Sequence, residues 1–453
     1  MAPIGLRAPP RARLPACLSL LCMAGVVAVL VASSGPAGLL ILGGGLIGTA
    51  VAGAGMWWVV AYRGPVRVAG AVLAAVAPAA VLVGYAVKGV WPVALGAIAL
   101  AVCAVACARA ALSRARRSAG MRAHECTLPE HPVLIMNPKS GGGKVGRFGL
   151  VEQAEALGAR VVLLNAEEYT DVAQIARRAV AEGADLLGVA GGDGTQALVA
   201  AIAADHGLPF LVISAGTRNH FAMDLGLDRE NPGRCLDALT DGVELHVDLG
   251  VVGGQAFVNT ASFGAYAQIV QSPAYRDAKA GSALDAMPDL LLGDSSVSLD
   301  AQADDVRLSS QQALLVSNNP YAAPQPMAAG GRRPRLDLGV LGIVGIRVSN
   351  AAQAAELAVR GSRASSLSVS SARRITVESE AKNVAVAIDG EARVLPAPVT
   401  CSIRPGVLRV LVPRHRPESA AASPLKWRDV IALAVGRTQP ISTGKEQPGE
   451  RPP

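Results

Sequence analysis

No aspartate or glutamate occurs before Glu125, yet eleven lysines and arginines lie between Arg7 and Arg122. Charge of either sign is scarce in the whole chain, at 17% of 453 residues, and hydrophobic residues reach 51%. A soluble helical bundle needs mixed charge on its outer face, so a first quarter without acids argues against one. The net charge of +7 belongs to that quarter: beyond it, 31 cations face 35 anions. That mildly acidic remainder argues against a nucleic-acid-binding protein. The seven cysteines are dispersed, and no pair has zinc-ligand spacing. Their odd number argues against a disulfide framework.

What fills the acid-free quarter is apolar. Four segments follow one another, at about Leu14–Ser34, Pro36–Tyr62, Val68–Val87 and Trp91–Ala108. Each approaches or exceeds the ~20 residues a helix needs to cross a bilayer core. Basic residues before, between and after them number 3, 0, 2, 1 and 4. By the positive-inside rule both ends of this region are cytosolic. Trp57, Trp58 and Tyr62 fall near the cytosolic end of the second segment, as an aromatic belt would. The small residues of "LVASSGP" also allow the first segment to be a cleaved signal peptide. Residues 1–125 are thus expected to form a membrane domain with four transmembrane helices.

From Pro132 short apolar strands alternate with helical stretches: "PVLIM", "RVVLL", "DLLGVA" and "PFLVI", with a helix over Asp171–Glu182. That pattern predicts a parallel sheet covered by helices, an α/β domain over 126–245. From His246 strand-like runs separated by turns predict an antiparallel β-sandwich domain over 246–413. A C-terminal helix and a disordered tail are expected over 414–453.

Ligands of such parallel sheets bind at the carboxyl ends of the strands. Three polar, glycine-rich loops fall there. In "GGDGT", Gly191, Gly192 and Gly194 allow close backbone approach and positive φ, and the following helix N-terminus points its N–H groups at a phosphate. Asp193 in that setting would orient a bridging Mg2+, bond a hydroxyl or backbone group, or only cap the helix with Thr195. "NPKSGGGK" is no Walker A loop: Pro138 replaces its first glycine, and Val145 its Ser/Thr. It still brings Lys139, Lys144 and backbone donors to a second strand end. "SAGTRNHFAMDLG" supplies Thr217 and Asn219 at a third.

These loops, together with "IDGEA" far downstream, resemble the diacylglycerol kinase catalytic-domain family over roughly Pro132–Pro413. The resemblance implies ATP-dependent phosphorylation of a lipid hydroxyl, diacylglycerol-like, with ATP and Mg2+. Glu391 would be the general base, with Asp389 beside it. Asp193 would position Mg2+ or the acceptor. Asn137, Lys139, Ser140, Gly191, Gly192, Gly194, Thr195, Thr217 and Asn219 would line the nucleotide site. The chain departs from the family where "RLDLGVL" keeps Asp337 but has Leu338 at a usual carboxylate position, leaving Asp337 alone for an accessory metal. "NNPYAAPQPM" lacks a glycine cluster, and His220 stands where the family often has Asp.

The expected setting is the cell membrane, multi-pass, with the catalytic part on the cytoplasmic side. Its partners are a membrane lipid and ATP. Arg114, Arg116 and Arg117 would face anionic headgroups. A homodimer is allowed. Two alternatives stay open: NAD kinase-like phosphorylation of a soluble nucleotide, and a non-catalytic lipid-binding membrane protein with a degenerate kinase fold.

Overall fold

The computed structural model describes residues 10–32, 36–61, 64–87, 89, 91–119, 121–165, 171–271, 298–321, 331–348, 350, 352–353, 356–357, 364–416 and 427–436. The chain divides into two compact units, one of residues 1–119 with 422–440, the other of 120–421 with 441–453.

The first unit holds four long helices, α1 (Pro10–Ala32), α2 (Pro36–Ala61), α3 (Pro65–Val87) and α4 (Trp91–Ala119). α1 runs along α4 and α2 along α3. A buried hydrogen bond from Ser19 Oγ to the Ala104 carbonyl, 2.7 Å, ties the first pair. Gly55 and Gly70 let the second pair touch backbone to backbone: a Cβ at Gly70 would meet the Gly55 carbonyl oxygen and Trp58 Cβ, both at 2.7 Å. Gly70→Leu should therefore separate α2 from α3, at a cost of about 1–3 kcal/mol from overpacking. A lower thermal midpoint in detergent checks it. Leu21, Val72, Leu82, Ile98 and Val102 point outward, which suits a lipid surroundings better than water.

Three stretches among the described residues are long and apolar enough to cross a membrane: Ala12–Val29, Pro65–Gly84 and Pro92–Leu112. Three of the four expected spans are thus supported by length and composition. α2 carries no charged residue over its 26 positions, but the side chains of 36–42 and 60–61 lie outside the described residues.

The second unit begins with β1 (Ala123–His124) and β2 (Pro132–Met136), then α5 (Lys144–Arg147), α6 (Leu150–Ala156), β3 (Arg160–Leu163) and α7 (Val172–Ala181). α7 starts as its sequence suggests, with the Asp171 carboxylate accepting from Gln174 N at 3.1 Å. β4 (Leu186–Ala190), α8 (Asp193–Asp205), β5 (Phe210–Ile213) and α9 (His220–Asp224) follow. β3, β2, β4 and β5 pair in parallel, in that order. β2, β4 and β5 are buried throughout, the signature of a sheet covered on both faces.

Among the described residues the rest is antiparallel, with one exception. β6 (Gly242–Val252), β7 (Gln255–Phe257), β8 (Thr260–Gly264), α10 (Ala265–Gln271), β9 (Leu299–Ala303), β10 (Val306–Gln311) and β11 (Ala313–Asn318) come first. β12 (Leu341–Ile346), β13 (Leu367–Ala372), β14 (Arg374–Ser379), β15 (Asn383–Ile388), β16 (Glu391–Pro396) and β17 (Val399–Pro413) complete them. β17 is the exception: it pairs with β14 and β6 antiparallel, and its end joins β5 in parallel. One eleven-stranded mixed sheet therefore runs through both halves, and β6 crosses the 245/246 position at which the sequence separates them. A second sheet, β13-β12-β11-β8-β15-β16, is wholly antiparallel. Phe257, Phe263, Ile343, Ile375 and Val386 join a buried core that draws on both sheets. α11 (Trp427–Ala434) belongs to the helical unit, where Val430 and Leu433 pack with Ala16, Ala108 and Ala111. The expected tail after 436 lies outside the described residues.

Candidate active site

The three glycine-rich loops meet at the carboxyl ends of β2, β4 and β5. After β2, Asn137 closes an Asx turn, its Oδ1 accepting from Lys139 N at 3.0 Å. Gly141, Gly142 and Gly143 then take φ of +57°, +71° and +78°, a run that strongly favours glycine. Gly141 packs so tightly on the third loop that a Cβ would stand 3.1 Å from the Gly216 carbonyl oxygen. Lys144 is drawn inward: its Nζ donates to the Arg229 carbonyl at 2.9 Å, and burial lowers its pKa. It ties the loops together. Lys139 stays exposed at the turn.

In the GGDGT turn, Gly191 and Gly194 serve close approach, not positive φ. None of Gly191, Gly192 and Gly194 is left-handed. Gly192 is the N-cap of α8 and Asp193 its first residue, so Asp193 does not cap the helix. No described residue lies within 4 Å of a Cβ built on Gly192, which leaves space above the helix N-terminus among the described residues. Gln196, fully buried, donates from Nε2 to the Gly191 carbonyl at 3.0 Å and holds the turn. In the third loop, Asn219 is left-handed and its amide donates to the Ser214 and Gly216 carbonyls at 2.8 and 2.6 Å. Asn219 thus folds the loop, while Thr217 beside it is exposed. Ser140 and Thr195 are partly exposed within the same group of loops.

Asp193 is the polar centre. Its Oδ2 accepts from His220 N at 3.3 Å, and its Oδ1 is buried with no partner among the described residues. Burial raises the Asp193 pKa, opposed by His220 and by the Arg333 guanidinium. Burial lowers the His220 pKa, opposed by Asp193 and Asp224. An orphaned buried carboxylate oxygen asks for a cation or a donor from a ligand.

Glu391 comes to this centre from the other half of the unit. β15 and β16 form a hairpin in which Ile388 pairs with Glu391, and Asp389 and Gly390 make the turn at φ +47° and +89°. Both central residues have positive φ, as a two-residue hairpin prefers. Asp389 accepts three backbone N–H bonds, from Val258, Asn259 and Thr260, at 2.8, 2.8 and 2.9 Å. Burial pushes its pKa up to about 7 against those donors, and the Asp193 charge adds to the rise. So anchored, the hairpin lays the Glu391 side chain over Gly194: a Cβ there would stand 2.9 Å from Glu391 Cδ and closer still to Oε1. Glu391 Oε2 accepts from Arg393 Nη2 at 2.9 Å, and the side chain stays half exposed. The DGE stretch is therefore a hairpin turn, and its glutamate also sits on the GGDGT loop.

Asp337 stands apart from this group. Arg335 grips its carboxylate with two bonds, 2.5 and 2.8 Å. The nearby Asp248 accepts from Asn319 Nδ2, Gly339 N and Gly406 N at 3.0, 2.6 and 2.8 Å. With Leu338 adding no oxygen, that corner does not fit an accessory metal. Among the described residues no three His, Cys, Asp or Glu side chains converge as a metal site.

Sequence reasoning missed Arg333, which is wholly buried against Asp224, Asn259 and Asn318. Its only signal was a pair of arginines in a loop, which says nothing of burial.

Residues 131–252 match the model of the diacylglycerol kinase catalytic domain. A diacylglycerol kinase of Mycobacterium tuberculosis is 32% identical over 136 residues, 29% of this chain and 43% of that one. One from Bacillus subtilis is 40% identical over 96 residues, 21% of this chain and 32% of that one. The chain spans less than half the length of the curated relatives it matches. A solved candidate diacylglycerol kinase from Bacillus anthracis superposes with a TM-score of 0.51 at 20% identity, covering 64% of this chain and 99% of that one, a likeness of fold. Over residues 131–252, this chain is thus similar to the diacylglycerol kinase catalytic-domain family.

Proposed function

We propose that the protein is a membrane-bound lipid kinase that moves the γ-phosphate of ATP to a lipid hydroxyl, diacylglycerol-like. The observation that carries the reading is the Glu391 carboxylate lying on Gly194 of the phosphate-type turn. A base and a phosphate cradle in contact suit in-line transfer, where an alcohol loses its proton as its oxygen meets phosphorus. Glu391 takes the proton of the lipid hydroxyl. Backbone N–H groups at Gly192–Gly194 and the loops around Asn137, Ser140 and Thr217 hold the nucleotide phosphates. The orphaned Asp193 Oδ1 would help hold Mg2+, which would neutralise phosphate charge there. Asp337, paired with Arg335, takes no part.

The apolar helices supply the membrane setting. We place both ends of that region in the cytosol, from the alternation of its basic residues, and the catalytic unit with them. Tethering concentrates the kinase on the leaflet that holds its substrate.

The test is transfer of radiolabelled phosphate from ATP into extracted lipid, using purified full-length protein and diacylglycerol in mixed micelles. Glu391→Gln should lower the rate about 10²–10⁴-fold. Label in a water-soluble product, lost in Asp193→Asn but kept in Glu391→Gln, would point instead to a soluble nucleotide acceptor. No label in either phase would leave a binding protein.

A further inference from the structure

The guanidinium of Arg333 is fully buried, and so is its partner Asp224. Arg333 N donates to Asp224 Oδ1 at 3.0 Å, while Nε and Nη2 both reach Oδ2 at 2.7 Å. Nη1 serves the carbonyls of Val258, Asn318 and Asn259 at 2.7, 2.8 and 3.2 Å, and Nη2 serves Asn259 Oδ1 at 2.6 Å. Asp224 closes α9, which begins at His220 beside Asp193. Val258 and Asn259 belong to the strip whose N–H groups hold Asp389. One short stretch of backbone is thus gripped on its carbonyl side by Arg333 and on its N–H side by Asp389, two residues before Glu391.

Such a pair is an expensive way to fill space. Removing two charges from water costs several kcal/mol per ion, and well-packed apolar residues of like volume often stabilise a fold as well or better. Arginine is suited instead to fixing several acceptors at once, through a planar fork that lysine lacks. The fork here joins the third nucleotide-site loop to the strip that aims the hairpin.

We infer that Arg333 is a positioning residue: through residues 258–260 and Asp389 it holds Glu391 in register with the GGDGT turn. This rests on the kinase reading above. Displacing a reacting group by about 1 Å can cost about 100-fold in rate while leaving binding nearly intact. The device therefore belongs to the transfer step and not to ATP affinity.

The experiment compares full-length protein with the double variant Asp224→Leu/Arg333→Met, which exchanges the ion pair for apolar volume. Denaturant midpoint, ATP dissociation constant and kcat for lipid phosphorylation are measured on each. We expect a folded variant, an ATP dissociation constant within about threefold, and kcat lower by about 100-fold. Unchanged kcat in the folded variant overturns the inference, and so does ATP binding lost in step with kcat. Arg333→Lys, which keeps the charge without the fork, is the second variant, with kcat expected to fall about 10-fold or more. Wild-type kcat in that variant, or failure of both variants to fold, overturns it too, the latter because Arg333 is then only a strut. A parent protein that transfers no label to lipid sinks the kinase reading and this inference with it. An active parent with equally active variants sinks this inference alone.

Discussion

Gly194→Ala should lower kcat for lipid phosphorylation about 100-fold while the protein stays folded. Gly194 lies in the first turn of α8 with no left-handed strain, so alanine suits the backbone and gains helix propensity of up to about 1 kcal/mol. The new methyl would overlap the Glu391 carboxylate, whose Cδ would stand at 2.9 Å. Glu391 is half exposed and ends a flexible side chain, so it can swing away without disturbing the core. The fold keeps its stability and the base loses its place. Gly216→Ala makes the control: its Cβ would press on the Gly191 carbonyl oxygen and Asn219 Oδ1, both at 2.8 Å, and the first of these is backbone. That variant should lose thermal stability along with activity. Thermal midpoints and kcat for the two proteins check the contrast. A Gly194→Ala protein with parental kcat would show that Glu391 need not stand where the structure places it.

Gly194 also marks where the sequence could be read and where it could not. The parallel strands β2, β4 and β5 were legible because a doubly covered sheet demands unbroken apolar runs, as in "PVLIM" and "DLLGVA". The loops were legible because strand order fixes where strand ends fall. The role of each glycine was not: positive φ and close approach ask for the same residue, and at 191 and 194 it is approach that counts. Long-range pairing was hidden for a related reason. Arg333 and Asp224 lie 109 positions apart, and no local pattern links them. Asp337 looked free for a metal, yet Arg335, two residues earlier, consumes it. β17 read as one more strand of the sandwich, but its end adds to the parallel sheet through Val410 and Leu411. A strand's partners depend on topology, which a period of two does not encode.

The largest stability effect should come from Asp389, through the backbone it holds. Its carboxylate receives the N–H groups of Val258, Asn259 and Thr260 at 2.8–2.9 Å. Asp389→Gly removes the acceptor but relaxes the φ of +47°, so it isolates the hydrogen bonds. Each N–H left without a partner in a buried setting costs about 1–3 kcal/mol, and three of them sum to about 3 kcal/mol or more. Asp389→Ala adds the left-handed strain of a Cβ, about 1–2 kcal/mol further. Asp389→Asn keeps one oxygen and tolerates the turn, so it loses about one bond, or about 1–2 kcal/mol. Urea midpoints should therefore fall in the order Asn, Gly, Ala, against a total stability of about 5–15 kcal/mol for a typical domain. Activity should fall in the same order at temperatures where all three remain folded, because the strip and the hairpin carrying Glu391 lose the bond between them. An Asp389→Gly protein with the parental midpoint would mean that water replaces the carboxylate at no cost. The strip at 258–260 would then be held from the Arg333 side alone.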